Sequence, residues 1–127
     1  MKKLDEKLLK QVREICLALP ETKEVEAWEH PTFRAGKKMF AVFGEVVPWG
    51  ATLGLKVGFD RQDELLKDKR FFPAPYAAHQ GWVSLKLAGK IDWQEVTNLV
   101  LEAYRQVALK RMLKALATGL TAETGSE

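Results

Sequence analysis

The sequence predicts an α+β two-layer sandwich: an antiparallel sheet with helices packed on one face, in the order helix, three strands, helix, one or two strands, helix. Three observations carry that reading. Leu4, Leu8, Val12, Ile15 and Leu19 recur at helical spacing near the start. Residues 52–57 and 82–87 alternate apolar with polar side chains. From Asp92 onward the chain has the cap and apolar stripe of a long helix. Strands arriving in runs between helices, rather than alternating with them one by one, give an antiparallel sheet.

Each element has a local cause. The first helix spans roughly residues 3–19, its stripe widened by Leu9 and Cys16. Pro20 stops it, having no amide donor and constraining the residue before it. Residues 21–29 are acidic and are assigned to no element. A strand over 32–35 turns at Gly36-Lys37 and returns over 38–43. Met39-Phe40-Ala41-Val42-Phe43 is apolar on both faces, which predicts a central strand covered on each side. Pro48 and two glycines make 44–50 a loop. In 52–57, Leu53, Leu55 and Val57 point inward while Thr52, Gly54 and Lys56 point outward. Asp60 caps a short helix over 61–69, with Asp63 four residues before Lys67. A connector with Pro73 and Pro75 leads to the strand 82–87, with Val83, Leu85 and Leu87 inward and Trp82, Ser84 and Lys86 outward. Asp92 with Glu95 is a capping-box pattern, and Val96, Leu99, Val100, Ala103 and Val107 form the last buried stripe. The stripe broadens near Leu109, Met112, Leu113 and Leu116 beyond what one helix face needs. Residues 1–117 read as a single domain and 118–127 as a flexible tail.

Composition narrows the function classes. A chain of 127 residues, 46% hydrophobic, buries a core without disulfides, and a single cysteine allows no intrachain pair. No signal-peptide pattern and no apolar run of ~18 residues is present, so the expectation is a cytoplasmic protein with no membrane partner. The formal net charge is +3 and the pI about 9.0, which permits a polyanionic partner without requiring one. Arg105, Lys110, Arg111 and Lys114 crowd the end of the last helix, where cations complement the helix dipole.

Three segments carry a resemblance. Phe33-Arg34-Ala35-Gly36-Lys37-Lys38-Met39-Phe40-Ala41 resembles the hairpin of the MmcQ/YjbR-like family. The stretch from Pro73 through Tyr76, His79 and Trp82 resembles its central connector and strand, and 103–111 its C-terminal helix. The resemblance spans roughly residues 4–114 and implies a frataxin-like (CyaY-like) fold. It also implies DNA binding through exposed hairpin wings, in a family with no agreed catalytic residues. The acidic iron-binding ridge of frataxins does not carry over, because Lys2, Lys3, Lys7, Lys10 and Arg13 interrupt the acids of the first helix here.

The candidate chemistry is therefore binding. Lys56 and Lys86 flank Trp82 on the outward sheet face, with Arg34 joining if Phe33 and Ala35 face the core; cations around an indole suit phosphate contact and base stacking. The competing reading is an ordinary solvated face with Trp82 packed under a loop. Arg34, Lys37 and Lys38 form a basic hairpin wing, or a polar turn with solvated lysines. The apolar second face of the central strand and the leucines near Leu113 offer an alternative, a homodimeric interaction module. A third reading is a small-ligand pocket of Tyr76, His79 and Trp82. His30 and His79 lack ligand spacing, Cys16 lies on an apolar stripe and Ser84 lacks a nucleophile elbow. No metal, cofactor or catalytic residue is assigned.

Overall fold

The computed structural model describes residues 3–46, 50–75 and 77–125. Leu9, Val12 and Cys16 turn one face of α1 (Lys3–Leu17) into the core. Beyond its end, the Thr22 hydroxyl donates to the carbonyls of Cys16 and Leu19 at 2.9 and 2.7 Å, satisfying acceptors that Pro20 cannot serve. The chain then forms β1 (Thr22–Ala27), β2 (His30–Ala35), β3 (Lys38–Val46) and β4 (Gly50–Lys56). After α2 (Phe59–Leu65) come β5 (Phe71–Pro73), a 3₁₀ turn (Ala78–Gln80) and β6 (Trp82–Lys86). Two helices finish it, α3 (Trp93–Val107) and α4 (Lys110–Gly125). All the pairings are antiparallel and the sheet order is β1-β2-β3-β4-β6-β5. The helices pack on one side, which is the expected two-layer sandwich.

Several boundaries differ from expectation. The acidic segment is an edge strand: Glu24 and Glu26 alternate with Lys23, Val25 and Ala27, and Arg13 of α1 grips Glu24 with two guanidinium nitrogens. The β1–β2 turn holds Trp28 and Glu29 at φ 52 and 65, left-handed values that a two-residue hairpin demands and neither side chain favours. The part of the expected 44–50 loop that is described is strand, and residues 47–49 lie outside the described residues. Gly58, not Asp60, is the N-cap residue of α2, which ends at Leu65. Asp92 does cap α3, accepting from the amides of Gln94 and Glu95; Glu95 instead pairs with Arg70, whose bonds also hold the Asp68 carboxyl down at about 2.

The apolar run of β3 has a different cause from the one expected. A bulge opposite Phe33 and Arg34 inserts Phe40, so Phe40 and Ala41 are both buried in the helix-side core. Phe40 stands edge-on to Tyr104 at 5.7 Å. The bulge doubles up the core face, while Met39 and Val42 are half-buried apolar side chains on the helix-free face. The last helix also breaks. Ala108 is extended, and the Leu109 carbonyl starts α4 by accepting from Met112. Val107 and Met112 are both buried, yet five residues rotate a straight helix by about 140°. The break lets both reach the core and packs Leu113 and Leu116 against it, while Leu109 at the break is left 48% exposed. α4 then runs to Gly125, across the segment read as tail.

Candidate nucleic-acid interface

Strand parity sorts the charges. Residues opposite one another across strands share a face, so the register fixes what the helix-free side presents. Reading across, that side carries Lys23, Arg34 and Met39, then Lys56 and Trp82. The next row is Val25, Thr32, Val42, Gly54, Ser84 and Phe72. Beyond it come Ala27, His30, Gly44, Thr52 and Lys86. Lys23, Arg34, Lys56 and Lys86 are its cations, and among the described strand residues no carboxylate faces this side. Glu24, Glu26 and Glu45 all fall on the opposite parity. Lys23 stands directly opposite Arg34, a like-charge pairing that destabilises a sheet unless something anionic answers it.

The structure thus brings together Arg34, Lys56, Trp82 and Lys86, four of the sequence candidates. Arg34 reaches the Thr32 hydroxyl at 3.4 Å, and Lys86 donates to the Lys69 carbonyl at 3.2 Å while lying over the Phe72 ring. Lys37 and Lys38 are exposed at the β2–β3 turn, but the turn is docked and does not project as a wing. The Gly36 amide donates to the Glu21 carbonyl at 3.1 Å, and a Cβ on Gly36 would meet the buried Met112 at 3.1 Å. Glu21 also binds Arg111 through both carboxylate oxygens, which holds its carboxyl below the usual range. These contacts hold the turn against α4; Lys37 and Lys38 on the turn and Lys110 and Lys114 on α4 are all exposed.

Trp82 departs from the role expected of it. Its side chain is on the predicted face but only 5% exposed, laid over Gly54 next to Val42. A base cannot stack on it in this conformation. Of the pocket candidates Tyr76, His79 and Trp82, Tyr76 lies outside the described residues and His79 is exposed in the 3₁₀ turn. The connector is pinned from below. The Gln62 amide donates to the carbonyls of Ala78 and Trp82 at 2.7 and 3.0 Å. The Gly81 carbonyl accepts from the amides of Val57 and Gly58 at 3.0 and 3.1 Å. Gly81 has φ 83, and a Cβ there would sit 3.0 Å from the Gly58 backbone. Gly81→Ala should therefore cost about 2 kcal/mol, read as a lower urea midpoint; an unchanged midpoint would mean that this junction is not held as described.

Beside that junction a cleft of about 460 Å³ opens between α2 and α3, lined by Gly58, Phe59, Asp60, Arg61, Arg105 and Gln106 among others. Arg61 is committed to Glu64 and Glu102. Phe59 is 60% exposed.

The YjbR family model matches residues 17–106. The chain belongs to the YjbR family. A search of curated proteins finds no match for this YjbR chain. Among solved structures it is similar to Deinococcus radiodurans protein DR2400, described as carrying the family domain DUF419. The two share 23% identity at a TM-score of 0.70, over 86% of this chain and 87% of that one. A protein from Pseudomonas syringae is similar at 18% identity and a TM-score of 0.62, over 84% of this chain and 98% of that one. These likenesses show the fold.

Sequence reasoning singled out none of Lys23, Phe59 and Arg105 as a candidate site residue of this YjbR chain. Lys23 was legible in principle, because Thr-Lys-Glu-Val-Glu-Ala alternates at period two once it is read as a strand. Phe59 was not, since only the packing of α2 leaves its ring in water. Cys16 is buried, and burial pushes its thiol well above the usual range, so it is no nucleophile. Among the described residues, no helix is long and apolar enough to cross a membrane.

Proposed function

We propose that this protein binds nucleic acid, DNA in the first instance, along its helix-free sheet face and the adjoining basic end. One observation carries the reading: Lys23, Arg34, Lys56 and Lys86 share a face that no carboxylate of the described strands shares, although the whole chain is only +3. Lys37 and Lys38, exposed at the docked turn that follows Arg34, add positive charge at the end of β2. Such a surface meets phosphates and reads no sequence by itself. Trp82 belongs to the scaffold of this face.

A labelled duplex titrated at several salt concentrations tests it. Affinity should fall linearly with salt on logarithmic axes, by about 0.9 per phosphate contacted. Lys23→Gln should weaken binding several-fold at low salt and reduce the slope by about one contact. Its stability should stay level or rise by about 0.5 kcal/mol, because the variant relieves the repulsion from Arg34. Failure of the unaltered protein to bind at low salt ends the proposal.

The homodimer alternative gains nothing from the exposed edge of β1. Pairing β1 with its own copy in antiparallel, in-phase registers sets a glutamate against a glutamate or Lys23 against Lys23. Like charges at those positions keep the edge apart.

A further inference from the structure

Two aromatics are well exposed among the described residues: Trp28 at the β1–β2 turn, and Phe59 in the cleft between α2 and α3. Phe59 is 60% exposed, an unusual state for a phenyl ring in a protein with a well-filled core. Arg105 faces the same cleft from α3. Among the described residues its guanidinium has no hydrogen bond or ion pair, whereas Arg13, Arg61, Arg70 and Arg111 are all committed to carboxylates. Gln106 packs its amide against Gly58, at the lip of the cleft. The volume, about 460 Å³, is within the range of small-molecule sites.

The charges in the cleft decide what fits. A bare phosphate would meet Asp60 and Glu102 as well as Arg105. A nucleobase attached to a phosphate suits the set better: the ring stacks on Phe59, its exocyclic N–H groups face Asp60 or the Gln106 oxygen, and its phosphate lies toward Arg105. Lys56, the last far-face cation on β4, is three residues from Phe59, within about 11 Å by chain reach. The cleft is therefore within a few nucleotides' reach of a strand held at Lys56.

We infer that this cleft receives an unpaired base of a single-stranded nucleic acid, with Phe59 as stacking platform and Arg105 as phosphate contact. The inference rests on the nucleic-acid reading above, and the test separates the two. Anisotropy of a short labelled single strand and of a labelled duplex is measured with the unaltered protein, Phe59→Ala, Phe59→Tyr and Arg105→Ala. Phe59→Ala should lose roughly 5- to 100-fold in single-strand affinity, with the salt slope and the duplex affinity unchanged. Phe59→Tyr, which keeps the ring, should retain binding. Arg105→Ala should weaken single-strand binding and reduce its salt slope by about 0.7. Phe59 is largely in water, so its truncation leaves the fold intact, and a superimposable urea melt confirms that. Single-strand affinity unchanged in Phe59→Ala overturns the cleft while leaving phosphate binding standing. Absence of binding to either nucleic acid overturns both. Displacement of the strand by micromolar nucleoside monophosphate overturns the strand assignment in favour of a free nucleotide.

Discussion

Tyr104→Ala should lower the stability of the domain by about 4 kcal/mol, near the upper end of what removing one buried side chain costs. Tyr104 is fully buried on the inner face of α3, between the sheet and the loop after α1. Its ring is the edge-on partner of Phe40, the residue that the β3 bulge turns into the core. Its hydroxyl donates to the Pro20 carbonyl at 2.8 Å, across 84 residues of sequence. Truncation removes an aromatic ring, opens a cavity beside a second ring and strips a carbonyl of its donor. Tyr104→Phe separates these effects, since it keeps the ring and should cost about 1 kcal/mol. Both are measured as urea midpoints at constant slope. A loss under about 2 kcal/mol for the alanine variant would show that the Phe40–Tyr104 contact is not central to the core.

Trp82→Ala should cost about 3 kcal/mol, a loss that bears on function as well as on folding. The indole is 5% exposed and lies across Gly54 beside Val42. Its backbone is held by Gln62, so the side chain is also fixed at its root. The cost sits at the lower end for a tryptophan because the indole covers the helix-free face and water can partly refill the space. If instead stability changes by less than about 1 kcal/mol while nucleic-acid affinity collapses, the indole is a contact residue and the division of labour between Trp82 and Phe59 is wrong.

Local chemistry made much of the fold readable. Period-two alternation placed β4 and β6 and assigned their faces correctly, down to Lys56, Trp82 and Lys86 sharing a side. The Asp92 cap and the Pro20 stop were likewise visible, because each acts on backbone groups a few residues away. Three features were not readable, and each depends on a distant partner. β1 mixes glutamates with Thr22 and Val25, so its alternation alone does not mark it as a strand; it becomes one by pairing with β2 while Arg13 draws Glu24 toward the helices. The bulge at Phe40 lets two adjacent side chains of β3, Phe40 and Ala41, enter the core under α3, and Phe40 meets its ring partner only there. The break at Ala108 contains neither glycine nor proline, and it follows from the need to bury Val107 and Met112 together.

The candidate site divides in the same way. Sequence alone determined which residues alternate onto one sheet face and that cations predominate there, since strand parity is a property of the backbone. Only the tertiary structure decided which aromatic meets water. Exposure depends on what packs above a side chain, so Trp82 was drawn down over Gly54 while Phe59 was left open beside Arg105.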